Sequence, residues 1–316
     1  MVRAQRPERG EVSESYRLIE LLAEGDGERL DKYLANRLAP LSRAQIQALI
    51  RQGLVTVNGD IAKPSLRLEE GNMIRLQVPV VKEPAEPEPE AIPLCVLYED
   101  DHVAVVDKPA GMVVHPAFGH QSGTLVNAVL ARWPQIAAFA EPGRAGIVHR
   151  LDKETSGVIL IAKTPLALAS LRVQFKARQV QKRYLVLVEG IPDTAEGVIH
   201  APIGRDPQRR KQMAVLREGR EAVTEFRVLE TFAAHSLLEV WPKTGRTHQI
   251  RVHLAFIGHP VVGDTVYGRR KQTLKLSRHF LHAAAVTFVS PATDRVITVE
   301  APLPAALQDL LTVLRR

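Results

Sequence analysis

The chain has 316 residues, of which 45% are hydrophobic and 24% are charged, and its formal net charge is +7. At about 150 residues per domain the length suggests two domains, and the composition excludes a disordered or collagen-like chain. No apolar run approaches the roughly 18 residues of a membrane helix. The basic balance favours a polyanionic partner, most commonly nucleic acid, although a solvated basic surface is the alternative.

The amino-terminal segment indicates neither a core element nor a targeting signal. Residues 1–15 are predicted to form a flexible tail, and residues 1–20 mix Arg with Glu without the apolar stretch of a secretory signal. The chain has one cysteine, Cys95, which excludes an intrachain disulfide and a cysteine zinc site. We therefore expect a cytoplasmic protein in which Cys95 is an inert core thiol.

Residues 16–80 are predicted to form a small module of two helices packed on a short sheet. Apolar residues recur at helical spacing in two runs, Leu30, Tyr33, Leu34 and Leu38, then Ile46, Leu49 and Ile50. Ser42 is a suitable cap for the second helix, and Gly53 for its end. Residues 54–57 alternate into Asn58-Gly59, which is a strong hairpin signal, and residues 73–78 form another strand.

This module resembles an S4 domain, the small RNA-binding module of ribosomal proteins and RNA-modifying enzymes. The resemblance lies in Arg29-Leu-Asp-Lys-Tyr-Leu34, Leu41-Ser-Arg43 and Gly53-Leu-Val-Thr-Val-Asn-Gly59. It implies that a surface for structured RNA is lined by Arg29, Ser42, Arg43 and Arg51. Arginines and helix N-termini position a protein on RNA through phosphates, without reading the base sequence.

An acidic, proline-rich segment separates this module from the rest. Residues 82–90 hold four Glu and three Pro, so we predict a linker over residues 81–93. Residues 94–316 form the second domain, for which strands are predicted at 96–99, 102–106, 157–162, 184–188, 226–229, 237–240 and 283–289. Helices are predicted at Leu125–Arg132, 166–177 and 249–257. Because strands outnumber helices, we expect an α+β domain with a mixed, mostly antiparallel sheet.

Two dense polar runs in the second domain are candidates for chemistry. Residues 146–157 place His149, Arg150, Asp152 and Glu154 in a loop before a buried strand, although a simple polar turn would also explain them. Residues 243–254 precede and enter a helix, which could be a phosphate-binding helix start. A zinc site from His248 and His253 is disfavoured, because five residues is a poor helical spacing and no third ligand is evident.

Together these runs resemble the RluA-type pseudouridine synthases. His149-Arg-Leu-Asp-Lys-Glu-Thr-Ser-Gly157 is similar to the family's active-site loop, and Gly245-Arg-Thr-His-Gln-Ile-Arg251 to its arginine motif. Further matches follow in the expected order: Lys108-Pro-Ala-Gly111 with His115-Pro116, Lys182-Arg-Tyr-Leu185, Gly263-Asp-Thr-Val-Tyr-Gly268 and Leu281-His-Ala283. With the S4-like module, the chain is most similar to the D-type enzymes, which act on large-subunit ribosomal RNA.

The resemblance implies isomerisation of uridine in RNA to pseudouridine, with no cofactor and no metal. It implies that Asp152 is the catalytic aspartate, whether it attacks C1′ of the ribose, attacks C6 of the base or removes a sugar proton. Arg251 would keep Asp152 charged and oriented, with a phosphate contact as the alternative. Tyr184 would stack on the uracil while the base turns, because stacking tolerates in-plane rotation; a core strand residue is the alternative.

Further basic residues are expected to contact the RNA. Arg150 matches the family residue that enters the helix when the uridine is flipped out. We expect the basic stretches 205–220 and 269–278 to act as mobile arms on the RNA, with solvated loops as the alternative. The predicted RNA contacts of this domain are His149, Arg150, Arg209, Arg210, Lys211, Arg246 and His248. The second basic stretch is short for a D-type enzyme, and Ser290–Arg295 departs from the family's usual turn, which leaves the identity of the RNA open.

The resulting prediction is a monomeric pseudouridine synthase with 23S ribosomal RNA as its partner and no membrane association. One alternative keeps the chemistry and moves it to transfer RNA or to other uridines. A second is an RNA-binding ribosome-assembly factor, which the complete set of Asp152, Tyr184 and Arg251 disfavours. A glycosidase that uses Asp152 and Glu154 is disfavoured too, because residues two apart on a loop rarely face each other across a sugar.

Overall fold

A computed structural model describes residues 16–38, 41–79, 87–116, 120–141, 143–209, 212–269, 271 and 273–316. The chain divides into two compact units, Met1–Ala85 and Glu86–Arg316. The predicted tail, residues 1–15, and residues 81–86 of the predicted linker lie outside the described residues. No helix in the described part is long and apolar enough to span a bilayer.

The first unit is a four-stranded antiparallel sheet with two helices. Its elements in chain order are β1 (Tyr16–Leu22), α1 (Leu30–Arg37), α2 (Arg43–Arg51), β2 (Val55–Val57), β3 (Asp60–Ile61) and β4 (Met73–Pro79). The strands lie in the order β1-β4-β2-β3. The apolar residues that the sequence placed on α1 and α2 form one core with the inner residues of β2 and β4. The predicted architecture of this unit is confirmed, although no pattern in the sequence indicated the mostly exposed β1.

Two local signals in this unit have clear physical causes. Ser42 begins α2 in a capping box: its hydroxyl accepts from the Gln45 N–H at 3.4 Å, and its own N–H donates to Gln45 Oε1 at 2.8 Å. Asn58 and Gly59 both have positive φ, at 52° and 94°, which is the conformation of a type I′ turn. That turn fixes the register of β2 with β3.

The second unit contains a nine-stranded mixed sheet with helices at its faces and ends. Its elements are β5 (Cys95–Glu99), β6 (Val103–Lys108), α3 (Leu125–Arg132), β7 (Ser156–Ala162), α4 (Pro165–Lys176), β8 (Gln181–Glu189), β9 (Glu196–His200), β10 (Ile203–Arg205), β11 (Met213–Val215), β12 (Val223–Thr231), β13 (His235–Pro242), α5 (Gln249–Phe256), β14 (Leu281–Val289), β15 (Val296–Glu300) and α6 (Ala305–Leu314). The sheet order is β5-β6-β7-β14-β8-β13-β12-β9, with β15 paired to β14. Among these pairs β7 with β14 is parallel and the others are antiparallel, which confirms the predicted sheet class.

The centre of this sheet positions the chemistry-bearing segments. All seven residues of β7 are buried, so the loop before β7 is anchored at its end by a rigid strand. Gly157 has a φ of 114°, and the Ala283 carbonyl lies where a Cβ on this residue would be. A side chain at this position would therefore force β7 away from β14. The strands β10 and β11 form a separate two-stranded hairpin.

Two expectations change with the structure. Cys95 is exposed on the edge strand β5, so the prediction of a core thiol is wrong. Part of the predicted linker also belongs to the second unit: the Glu90 N–H donates to the Asn127 carbonyl at 3.0 Å, and Asn127 Nδ2 donates to the Glu88 carbonyl at 2.7 Å. The Glu90 carboxylate accepts from the Gly123 N–H just before α3, where a negative charge is favourable.

Candidate active site

A cavity of about 540 Å³ opens in the second unit between the loop before β7, the start of β8 and the segment that leads into α5. Asp152 is the one acidic residue among those that line it. Eight Lys and Arg residues line the same cavity: Arg144, Arg150, Lys176, Arg178, Lys182, Lys243, Arg246 and Arg251. A cavity of this size holds a small organic group, and its charge suits an anionic chain that carries that group.

Asp152 lines this cavity, with one carboxylate oxygen bonded to an arginine and the other facing a histidine. Its side chain is 18% exposed. Arg251 Nη1 donates to Asp152 Oδ2 at 3.0 Å. His248 Nε2 lies 3.9 Å from Oδ1, which is too long for a hydrogen bond. The structure thus brings Asp152 to His248 and Arg251, although Arg251 lies 99 residues further along the chain.

Arg251 is buried and has a second, stronger partner. Its Nε and Nη2 donate to Asp264 Oδ2 and Oδ1 at 2.7 and 2.9 Å, while Asp264 Oδ1 also accepts from the N–H groups of Val266 and Tyr267. Burial acts to lower the pKa of Arg251, but the bonds and charge of Asp264, and then of Asp152, outweigh it and raise that pKa. We name Arg251, Asp152 and Asp264 the Arg251 cluster.

The sequence alone indicated no role for Asp264, although this residue lies in the recognised motif Gly263-Asp-Thr-Val-Tyr-Gly268. Its side chain is fully buried, and burial acts to raise its pKa. The hydrogen bonds and charge of Arg251 reverse that effect and hold the Asp264 pKa below its usual value. Asp264 therefore stays ionised and fixes the guanidinium plane from the side away from Asp152.

The segment before α5 is fixed by the side chain of Gln249. Its Oε1 accepts from Thr244 Oγ1 at 2.7 Å and from the Arg246 N–H at 3.0 Å. Its Nε2 donates to the Val223 carbonyl and to Thr224 Oγ1, both at 2.9 Å. Arg246 lies at the rim of the cavity, with its Nε donating to the Glu221 carbonyl at 2.9 Å.

Tyr184 forms part of the cavity wall from the middle of the sheet. It pairs with Val240 of β13 on one side and with Ala283 of β14 on the other. Only 7% of the residue is exposed. Burial and the charge of Asp152 raise the Tyr184 pKa, so the phenol stays neutral.

His149 and Arg150 have different surroundings, although they are neighbours in sequence. His149 Nε2 accepts the Leu160 N–H at 2.9 Å, and the ring stacks on Phe175 with centroids 5.2 Å apart. Burial lowers the His149 pKa to about 3, so this histidine is neutral. Arg150 is exposed and lines the cavity.

A buried lysine braces the loop that carries Asp152. Lys108 Nζ donates to the carbonyls of Pro109, Met112 and Lys153 at 2.7, 2.9 and 3.1 Å. The Gly111 N–H also donates to the Lys153 carbonyl, at 2.8 Å. Burial lowers the Lys108 pKa to about 8. The motif around residues 108–111 thus supports the loop one residue after Asp152.

In the first unit the predicted RNA-binding arginines gather around one buried carboxylate. Arg29 Nε donates to Asp31 Oδ1 at 3.1 Å, and Arg43 Nη2 and Gln47 Nε2 donate to Oδ2 at 3.0 and 2.6 Å. The Arg29 hydrogen bonds, with those of Gln47 and Arg43, hold the Asp31 pKa well below its usual range. We name Asp31, Arg29, Arg43 and Gln47 the Asp31 cluster.

The other predicted RNA contacts are less constrained or fall outside the described residues. Arg51 is exposed and donates to Gln47 Oε1 at 3.4 Å, and Ser42 caps α2. Arg209 is exposed in the turn that follows β10. Arg210 and Lys211 lie outside the described residues.

Nothing in the described residues groups three or more ligating side chains in the way a metal ion needs. His253, considered above as a zinc ligand, uses both ring nitrogens within the fold. Its Nδ1 bonds Thr224 Oγ1 and its Nε2 bonds the Ala201 carbonyl, each at 2.9 Å.

Comparison with known proteins identifies the families that the two parts of the chain resemble. Residues 102–256 match the family described as RNA pseudouridylate synthase, and residues 28–74 match the S4 domain. An uncharacterized RNA pseudouridine synthase of Chloroflexus aurantiacus is 52% identical over 91% of this chain and 90% of the relative. A protein of Pseudomonas aeruginosa named ribosomal large subunit pseudouridine synthase D is 43% identical over 95% of this chain and 96% of the relative.

A solved structure is similar to a large part of this chain. The human RNA pseudouridylate synthase domain containing 1 protein superposes with a TM-score of 0.56 at 27% identity. The match covers 72% of this chain and 96% of the human chain.

Proposed function

Since the chain belongs to the RNA pseudouridylate synthase family and carries an S4 domain, we propose that it converts specific uridines of 23S ribosomal RNA to pseudouridine, with Asp152 as the catalytic residue and without metal or cofactor. The observation that carries this assignment is the pairing of Asp152, the one carboxylate of the cavity, with the buried guanidinium of Arg251.

The reaction breaks the bond between uracil N1 and ribose C1′, turns the base, and joins C5 to C1′. The hydrogen on C5 is lost and N1 gains one, so the product is an isomer. Asp152 attacks C1′, attacks C6 or removes a sugar proton, and each role needs an ionised carboxylate with little competing water. Arg251 Nη1 holds Oδ2 of this carboxylate, while Oδ1 accepts no hydrogen bond from the described residues and stays open to the substrate.

Tyr184 and Arg150 handle the flipped uridine. Tyr184 offers a neutral aromatic wall beside Asp152, on which a uracil can turn in its own plane without losing the contact. Arg150 is exposed at the cavity and enters the space that the uridine leaves in the RNA helix, which offsets part of the few kcal/mol that flipping costs.

Ribosomal RNA is the proposed substrate for two reasons. The Asp31 cluster presents two arginines suited to the phosphates of a folded RNA. Relatives named ribosomal large subunit pseudouridine synthase D share 43–44% identity over most of this chain. We also propose that the enzyme works in the cytoplasm beside its RNA, and as a monomer, because one chain supplies both the arginine pair and the whole cavity wall.

The test is single-nucleotide mapping of pseudouridine after the purified protein is incubated with protein-free 23S ribosomal RNA and with bulk transfer RNA. We expect new pseudouridine in a stem-loop of the 23S RNA, lost in Asp152→Asn. The matched control is Glu154→Gln, a carboxylate two residues away that does not line the cavity, which should keep the activity.

Each other outcome overturns a part of this assignment. Modification of transfer RNA alone would overturn the substrate and keep the chemistry. Modification of neither RNA, with binding retained, would favour the RNA-binding assembly factor. Equal losses in Asp152→Asn and Glu154→Gln would contradict the catalytic role of Asp152.

A further inference from the structure

One tyrosine hydroxyl joins the separate hairpin to the surroundings of Asp152. Tyr267 packs with Met213 and Val215 of β11 against a small buried cluster of Ile203, Ala222 and Val252. The Met213 N–H donates to the Tyr267 hydroxyl at 2.9 Å. The same hydroxyl lies 2.8 Å from His248 Nδ1.

The positions of the hydrogens follow from these contacts. The Tyr267 hydroxyl accepts from Met213, and burial raises its pKa, so it keeps its one hydrogen and donates it to His248 Nδ1. Burial also lowers the His248 pKa, against the charge of Asp152, so the ring is neutral. A neutral ring that accepts at Nδ1 carries its hydrogen on Nε2. That nitrogen is the one 3.9 Å from Asp152 Oδ1.

Tyr267 also contacts the other partner of Asp152. Its backbone N–H donates to Asp264 Oδ1 at 3.0 Å, in the turn that holds the Arg251 guanidinium. Its ring lies below that guanidinium, with Arg251 Cζ 5.0 Å from the ring centroid. Tyr267 therefore contacts both groups that face the Asp152 carboxylate: His248, which faces Oδ1, and Arg251, which binds Oδ2.

We propose that Tyr267 is a positioning residue, whose hydroxyl fixes the tautomer and direction of the His248 ring so that its Nε2–H faces Oδ1 of Asp152. This inference rests on the proposed function. The gap of 3.9 Å closes to a hydrogen bond with a movement of about 1 Å, so His248 can donate to one lone pair of Oδ1 while the other faces the substrate. Other charged groups that act on His248 are Arg251, Asp264 and Arg150.

The first test uses Tyr267→Phe, which removes the hydroxyl and keeps both the ring below Arg251 and the N–H to Asp264. We expect the single-turnover rate on saturating 23S RNA to fall roughly ten- to a hundred-fold, as small misplacements of catalytic groups do. The RNA dissociation constant should stay close to wild type, whereas the melting temperature should fall by a few degrees because the Met213 N–H loses its acceptor. The matched control is Tyr98→Phe on β5. It also removes a tyrosine hydroxyl from a hydrogen bond, in this case one donated to Asp100 Oδ2 at 2.8 Å.

A double-variant comparison separates positioning from a structural role. If the hydroxyl acts through His248, Tyr267→Phe should add little to the loss already caused by His248→Gln. Additive losses, a wild-type rate in Tyr267→Phe, or an equal loss of RNA affinity would each overturn the inference.

A second readout does not depend on activity. The ¹⁵N chemical shifts of the His248 ring report which nitrogen carries the hydrogen. We expect Nε2–H in the wild type and a mixture of tautomers in Tyr267→Phe. A wild-type ring with its hydrogen on Nδ1 would overturn the inference whatever the activity, whereas wild-type protein that makes no pseudouridine would overturn the proposed function.

Discussion

The two units each contain a cluster of arginine and carboxylate groups, and the clusters are built in opposite ways. In the Asp31 cluster one fully buried carboxylate holds two arginines, Arg29 and Arg43, whose side chains are 42% and 51% exposed. In the Arg251 cluster one buried arginine holds two carboxylates, the fully buried Asp264 and the partly exposed Asp152.

The difference decides what each cluster presents to RNA. The Asp31 cluster has one more positive than negative group, and the arginines are the exposed members, so it offers fixed cations to phosphates. The Arg251 cluster has one more negative group, and its exposed member is a carboxylate, so it offers an anion for chemistry. In both, the buried member is the support, and we propose that the exposed member meets the substrate.

The largest expected effect comes from breaking the support of the Arg251 cluster. Lysine lacks the planar guanidinium group with its several N–H donors. Arg251→Lys therefore keeps the charge but cannot donate two hydrogen bonds to Asp264 and a third to Asp152. We expect the single-turnover rate to fall roughly 100- to 1,000-fold, as when a preorganised donor is removed from an active site. RNA affinity should change little.

Lysine is preferred to an apolar residue for this test. Arg251→Met would leave Asp264 buried without its partner, a defect that costs about 3–5 kcal/mol and could unfold the unit. The measurement is single-turnover kinetics with a thermal melt of the same sample. A folded Arg251→Lys enzyme at the wild-type rate would contradict the role given to the guanidinium fork.

A smaller effect is expected from breaking the support of the Asp31 cluster. In Asp31→Asn the two arginines lose their charged anchor and must be ordered on binding, at about 0.5–1.5 kcal/mol for each side chain. The variant also gains one unit of net positive charge, so binding to any RNA should tighten slightly. We therefore expect the preference for target over unrelated RNA to fall roughly five-fold, with an unchanged rate at saturation.

The pH dependence of the free energy of unfolding gives a second test of the anchoring role of Asp31. Because its pKa is depressed in the fold, its contribution is present at neutral pH and is lost as the pH falls below about 4. Asp31→Asn should flatten this loss of stability in acid. The control Glu20→Gln breaks an exposed pair with Arg75 and should change stability by less than about 0.5 kcal/mol. Equal behaviour of the two variants would contradict the anchoring role of Asp31.

The sequence predicted those features that depend on local patterns. The helix at Leu125–Arg132, the cap at Ser42 and the turn at Asn58-Gly59 follow from short-range signals, and the structure has each of them. The strands β1, β9, β10, β11 and β15 and the helix α6 were missed. Strands β1, β9 and β15 leave half or more of their residues exposed and therefore carry weak apolar patterns. Strands β10 and β11 have three residues each, too few to show an alternation.

The site could be predicted only as far as the family resemblance reached. Arg251 and Asp152 are 99 residues apart, and no periodicity connects them. Asp264 and Tyr267 stood in a recognised motif, but their contacts with Arg251 and His248 depend on how α5 packs against that turn. Cys95 was misplaced because an apolar strand sequence does not distinguish an edge strand from a buried one.

The central claim is that binding and chemistry rest on different clusters. The most direct measurement is single-turnover pseudouridine formation as a function of enzyme concentration on one 23S RNA fragment. It compares Asp152→Asn with an arginine pair variant, Arg29→Gln with Arg43→Gln, which also carries Asp31→Asn so that no buried charge is left without partners. We expect Asp152→Asn to abolish the reaction with RNA affinity within a few-fold of wild type, and the arginine pair variant to weaken affinity while reaching the wild-type rate at saturation. Parallel loss of rate and affinity in both variants would contradict the claim.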